Sequence, residues 1–149
     1  MIKLFFLSLI SVTYTVNVAS KNNADDIMGR WINTENNLEV EIYKTGQEYR
    51  GKVIWIDDSD DKNRPMNGRC DWKNPDEALR KQKIIGLVVM YGLIYNEQHN
   101  NWQGGRIYDP SSGKDWNAKA SITRDGYLKV RGYWDFELLG KDLLFKKGL

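Results

Sequence analysis

Two turns in the second half of the chain decide how three consecutive segments pair, and this limits the fold more than any other feature. In "DPSSG" (109–113), Asp109 takes the first turn position, Pro110 the second, and Gly113 falls where a positive φ is needed. "TRDGY" (123–127) offers a three-residue loop with Gly126 at the left-handed position. Apolar residues alternate on both sides of each turn, as in strands with one buried face. Pairing Asp109 with Lys114 sets Ile107 against Trp116, Gly105 against Ala118 and Gln103 against Ala120. Pairing Thr123 with Tyr127 sets Ile122 against Leu128, Ala120 against Val130, Ala118 against Gly132 and Trp116 against Trp134. A slip of one residue would place Ile122 opposite Lys129 and mix the faces.

The same alternation runs through the rest of the chain. Candidate strands lie at 29–33, 37–43, 47–56, 84–95, 102–109, 114–122, 127–136 and 142–147, and Trp31, Val40 and Gly51 align across the first three. One inner face emerges, carrying Trp31, Leu38, Val40, Ile42, Tyr49, Gly51, Val53, Trp55, Ile107, Trp116, Ala118, Ala120, Ile122, Leu128, Val130, Trp134 and Phe136. Glu39, Glu41, Arg50, Lys52, Lys119, Lys129 and Arg131 fall on opposite faces. No long helical period competes. The fold class is all-β: an antiparallel up-and-down barrel of eight strands, whose interior side chains can fill or one small ligand can occupy.

Two segments interrupt this pattern. The run "IIGLVVMYGLIY" (84–95) is apolar on both faces. Its outer stripe of Leu87, Val89, Tyr91 and Leu93 is either an interaction patch for a second copy or an envelope partner, or it is covered by the long connection before it. That connection, 57–83, contains Asn74-Pro75-Asp76-Glu77. This predicts a short helix of about two turns between the third and fourth strands, capped by Asn74, boxed by Glu77 and ending near Lys81.

The chain opens "MIKLFFLSLISVTYTVNVAS". Lys3 precedes an apolar run that ends in the small residues Val18, Ala19 and Ser20, the pattern of a secretory signal peptide over 1–20. Ser8, Ser11, Thr13, Tyr14 and Thr15 make the run too short and too polar for a span of about 20 residues. The expected location is therefore the periplasm or the medium, with residues 21–28 as a mobile lead-in and 29–149 as one domain. With 22 basic and 20 acidic residues, the chain lacks the charge of a nucleic-acid binder. Cys70 is the single cysteine and His99 the single histidine, too few soft ligands for a structural zinc site.

Several phrases occur together in order: "GRW" near the mature start, "GKVIWI", "DWKNPDEALR", "GL" at 86–87, "WQGGRIYDPSSGK" and "LKVRGY". The set resembles domain of unknown function 2147, a family of small exported bacterial proteins, over about residues 28 to 147. The resemblance implies a fold like that of lipocalins and fatty-acid-binding proteins and leaves the activity open. Gly29-Arg30-Trp31 is similar to the Gly-x-Trp of lipocalin-like barrels, whose indole closes one end beneath a basic residue of the last strand. Lys147 in Phe145-Lys146-Lys147 stands where that pattern has an arginine. It lacks the planar fork but can still make a cation–π contact, which implies a structural plug of Trp31 and Lys147.

Readings as chemistry are weaker. Gly104 and Gly105 sit inside a strand rather than opening a helix, so "GGRIYDPSSGK" is a strand and a turn, not a phosphate loop. Ser111 and Ser112 lie at its tip without a histidine. In "DDSDDKN" (57–63), Lys62 stands where a calcium loop needs glycine, and Gly68 where it needs glutamate. His99 reads as an exposed loop residue. No cofactor or metal motif is found. Asp71, Arg80 and Arg106 are candidates for a polar mouth, but the preferred reading of Asp71 and Arg80 is a structural pin between the long loop and its short helix. The leading expectation is a ligand-binding barrel whose pocket is drawn from Trp55, Trp116, Trp134, Tyr49, Ala118 and Gly105. Second comes an interaction module with a filled barrel, and last a hydrolase.

Overall fold

A computed structural model of the protein describes residues 21–149. The expected signal peptide lies outside the described residues. Eight strands follow one another: β1 (Gly29–Asn33), β2 (Leu38–Thr45), β3 (Glu48–Ile56), β4 (Val88–Asn96), β5 (Asn101–Asp109), β6 (Lys114–Ile122), β7 (Leu128–Tyr133) and β8 (Lys141–Lys147). Each pairs with its chain neighbours, and β8 returns to β1 to close the barrel. Among the described residues, closure leaves no edge strand for another chain to extend.

The hairpin turns set the registers that their residues demand. Asp109 faces Lys114, Ile107 faces Trp116 and Gly105 faces Ala118. Ile122 faces Leu128, Ala120 faces Val130 and Ala118 faces Gly132. Three irregularities then change which residues point inward. In β5, a register shift at Gly104 (φ 74°) places Trp102, not Gln103, opposite Ala120. Trp102 is thereby fully buried, while Gln103 pairs with Ile94. In β2, the register shifts between Glu39 and Val40. On the turn side of this shift, the register set by Thr45 and Glu48 pairs Val40 with Val53 and Gly51 with Ile42 rather than with Val40. The shift sets Leu38 against Ile56 and leaves Trp55 beside Glu39. In β4, Met90 faces Gly51 and Leu93 faces Tyr49, with Gly92 (φ 72°) between them.

The expected outer stripe is not presented to solvent: the bulge at Gly92 turns Leu93 into the core, and the long connection covers Leu87 and Tyr91, which share a small recess with its Asn74, Pro75 and Leu79. Leu87 and Leu93 are buried, Val89 borders the barrel interior, and half-buried Tyr91 donates its hydroxyl to Asp115 at 2.8 Å. A bulge adds one residue to one strand and so exchanges the two faces beyond it. The predicted helix is also shorter than expected. Only a 3-10 turn, Glu77–Leu79, forms, and its cap is Asp76, which accepts from the Ala78 amide. The Asn74 side chain is committed elsewhere, accepting from the Asp76 amide and donating to Asp71. The chain then turns back to bridge Cys70 with Lys83, which leaves no length for a second turn.

Residues 21–28 belong to the fold rather than forming a lead-in. Ala24–Ile27 make a 3-10 turn with a full capping box between Asn23 and Asp26. The turn closes one barrel end. Ile27 is fully buried, the Trp31 indole N–H donates to the Ile27 carbonyl at 2.7 Å, and that of Trp102 donates to the Ala24 carbonyl at 2.9 Å. The Lys147 Nζ lies 4.3 Å from the Trp31 ring centre and donates to the Met28 carbonyl at 2.7 Å. Desolvation at this position holds its pKa below the usual lysine value. Tyr49 packs edge-on against Trp102 and donates its hydroxyl to Asp25 at 2.5 Å.

Two outcomes follow from this packing. Gly105 is pressed against Leu93, and an added Cβ would lie 2.6 Å from Leu93 Cγ and 2.9 Å from the Tyr91 carbonyl. Gly105→Ala should therefore cost about 1–3 kcal/mol by overpacking, read as a lowered urea midpoint at unchanged slope. Hydrogen bonds from Tyr49 and Lys44 hold the Asp25 carboxyl below its ordinary value of 3.8. The stability it contributes is present above that value and is lost as pH falls through the lowered one. Asp25→Asn should flatten the acid limb of a melting-temperature profile below about pH 4.

Candidate ligand-binding site

The barrel is filled at one end and hollow at the other. Trp31, Trp102, Tyr49, Leu93 and Ala120 belong to the packed cluster at the end closed by the N-terminal turn. Toward the opposite end lies a cavity of about 1440 Å³, with Val40, Ile42, Leu128, Val130 and Phe145 shared between its wall and the packed cluster. Gly51, Val53, Met90 and Ile107 add to an apolar interior. The volume exceeds the roughly 300–1,000 Å³ of common small-molecule sites, as suits a hollow that is open at its mouth.

The small residues of the inner face do not create this hollow. The space above Gly105 is taken by Leu93, and that above Gly132 by Ile107, whose Cδ1 would lie 2.7 Å from an added Cβ. Large and small residues interdigitate there. Among the pocket candidates, Trp116 and Trp134 border the cavity, and their rings meet edge-on at 5.3 Å. Tyr49 is buried in the closed end, Ala118 and Gly105 lie in the packed β5–β6 contact, and Trp55 pairs with Glu39 outside the cavity wall.

Four connections surround the mouth: 34–37, the long segment 57–87, the 110–113 turn, and 134–140. The long segment divides into two halves. Its second half is clamped to the barrel. Fully buried Asp71 accepts from the Tyr108 hydroxyl at 2.8 Å and from the Asn74 amide at 2.7 Å. Burial and the neighbouring Asp71 carboxylate push the Tyr108 phenol well above its usual value, so it remains a donor throughout the accessible pH range. The Lys73 carbonyl lies so close to Gly113 (φ 72°) that an added Cβ would be 2.0 Å away. The first half is held mainly by its own pairs, Arg64 with Asp61 and Arg69 with Asp60, both at 2.6 Å. Arg64 and Arg69 border the cavity mouth, where sequence parity could not place them because they belong to no strand.

The expected mouth residues lie elsewhere. Asp71 is buried behind the mouth. Arg80 donates to the Asn74 carbonyl at 2.9 Å and to Glu77 at 3.1 Å, so it joins Asp71 only through Asn74. Arg106 is exposed outside the barrel, near Asn117 and Asp115. Among the described residues no three His, Cys, Asp or Glu side chains converge as metal ligands. His99 contacts Asn96 in the β4–β5 turn. No helix of the described residues is long and apolar enough to cross a membrane.

Tyr108→Phe should expose the role of the clamp. It leaves Asp71 buried with one partner fewer and should cost about 1–3 kcal/mol. Hydrogen exchange should quicken in residues 69–83 while the β6–β7 amides keep their protection.

The solved structure of protein HP1028 from Helicobacter pylori, described as belonging to the lipocalin family, is similar in fold. It aligns with a TM-score of 0.69 at 20% identity over 83% of each chain. No curated protein matches in sequence. A family model described as an uncharacterized protein conserved in bacteria, DUF2147, matches residues 29–147, from the first strand of the barrel to the last. The chain is a member of the DUF2147 family.

Proposed function

We propose that the protein is an exported, lipocalin-like binding module that holds a small apolar or amphipathic molecule in the barrel. The observation that carries this reading is the division of the interior, with one end packed and sealed and the other an apolar hollow of about 1440 Å³. Apolar walls favour an apolar body through the hydrophobic effect. Polar side chains gather at the mouth, among them Asn37, Arg64, Arg69 and Tyr133, where a head group would remain in water. The signal-like segment 1–20 supports export to the periplasm or the medium.

Native mass spectrometry of protein purified without detergent should reveal a discrete added mass that is lost on denaturation. An environment-sensitive apolar dye, N-phenyl-1-naphthylamine, should brighten on binding and quench part of the tryptophan emission. Val130 is buried and borders the cavity. Val130→Trp, which fills the hollow, should weaken dye binding at least about tenfold, or ~1.4 kcal/mol, with far-ultraviolet circular dichroism unchanged. A wild-type protein with neither added mass nor dye binding would overturn the reading.

A further inference from the structure

The segment joining β7 to β8 presents four large apolar side chains to solvent at the cavity mouth. Trp134 is 59% exposed, Phe136 69%, Leu138 86% and Leu139 81%. Trp72, 61% exposed, also borders the mouth. Single exposed apolar residues are ordinary, but a contiguous set of this kind is not. The segment is also held in place. Gly140 lies against β7, where an added Cβ would come within 2.6 Å of the Gly132 carbonyl. Lys119 pairs with Glu137 at 3.0 Å, which ties the only acid within the 3-10 turn Glu137–Leu139 back to the barrel.

Four carbonyls of this tip find donors within the protein. The Asn117 amide donates to the Trp134 carbonyl at 2.6 Å. The Leu139 amide donates to the Phe136 carbonyl at 3.0 Å, and the Gly140 amide to that of Glu137 at 3.1 Å. Arg131 reaches over from β7, with Nε to the Glu137 carbonyl at 2.7 Å and Nη2 to the Leu138 carbonyl at 3.1 Å. Its Nη1 is neutralised by Asp142 at 2.7 Å. In water these carbonyls could be left to solvent. A turn that enters hydrocarbon needs such partners, because an unsatisfied carbonyl there costs several kcal/mol.

We infer that the 134–139 tip docks the barrel, mouth first, onto a zwitterionic lipid surface. The charges favour a neutral surface over an acidic one. Arg64 and Arg69 are already paired with Asp61 and Asp60, and Glu35, Asp109 and Asp135 stand with Lys141 around the mouth, so no positive field faces the lipid. Insertion is therefore driven by apolar area, with Trp134 at headgroup depth and Phe136, Leu138 and Leu139 beneath it. Trp134, Phe136 and Leu139 also border the cavity, so docking would join the hollow to the acyl layer without an intervening water gap. This role in ligand collection rests on the binding function proposed above; the docking itself does not.

The barrel closes within residues 29–147, so flotation uses the purified 21–149 chain with phosphatidylcholine vesicles. Wild-type protein should float, and raising salt from 0.05 to about 0.5 M should change the bound fraction less than twofold. Phe136→Ser, Leu138→Ser and Leu139→Ser combined should lower partitioning at least about tenfold. Ile94→Ser with Leu144→Ser, which removes exposed apolar groups away from the mouth, should float like wild type. Val130→Trp should float as well, so loss of dye binding and loss of docking are read separately. The inference is overturned if wild-type protein stays in solution or self-associates through these residues instead. It is equally overturned if binding requires acidic lipid and vanishes in salt, or if the control pair lowers it as much as the tip variant.

Discussion

Two indole N–H groups govern this barrel. Trp31 and Trp102 are fully or almost fully buried, and a buried donor without an acceptor costs about 1–3 kcal/mol. Both find their acceptors outside the sheet, in the carbonyls of Ile27 and Ala24. The N-terminal turn is thus the part that allows two large rings to occupy the barrel end. Its own capping box and the Asp25–Tyr49 contact hold it at the right height. Lys147 adds a cation over the Trp31 ring from the last strand, a contact of about 0.5–2 kcal/mol.

With one end full, packing at the other is released from the task of holding the fold. The inner faces of β2, β3, β7 and β8 can stand apart, because the turn, the rings and β1–β8 pairing already close the sheet. The long connection follows the same division of labour. Asp71, Tyr108 and Asn74 fasten its second half by a buried network, leaving the stretch around Arg64 and Arg69 on pairs formed mostly within itself. A cavity mouth with one fixed and one lightly held wall is the result.

How much of this was legible in the sequence depends on what each residue can signal. Turns with Pro110, Gly113 and Gly126 specify φ and loop length, and the β5–β6–β7 registers follow from them directly. The family phrases agree with the eight-strand closure. Bulges have no comparable signature. Gly104 and Gly92 are visible as glycines, but a strand glycine is as readily a packing partner, as Gly105 is. One missed bulge moved Trp102 from outside to core and another took Trp55 from the cavity wall. Buried polar pairing was also hidden, since Asp71 and Tyr108 stand 37 residues apart and only the folded chain brings them together. Arg64 and Arg69 at the mouth, and the 134–139 tip, lie where alternation ends and periodicity carries no information.

The seal of the closed end joins the two extremes of the domain. Lys147 reaches the Met28 carbonyl across 119 residues of sequence, and β1 pairs with β8 as well as with its neighbour β2. Contacts of that separation carry the largest loop-closure entropy. The five hairpins with short turns, β1–β2, β2–β3, β4–β5, β5–β6 and β6–β7, can pair as soon as their turns exist, but the cylinder has no floor until its final strand arrives. A nascent or truncated chain would therefore be an open, curled sheet with its indoles wet. The hollow is a closed vessel only where the end of the chain meets its beginning.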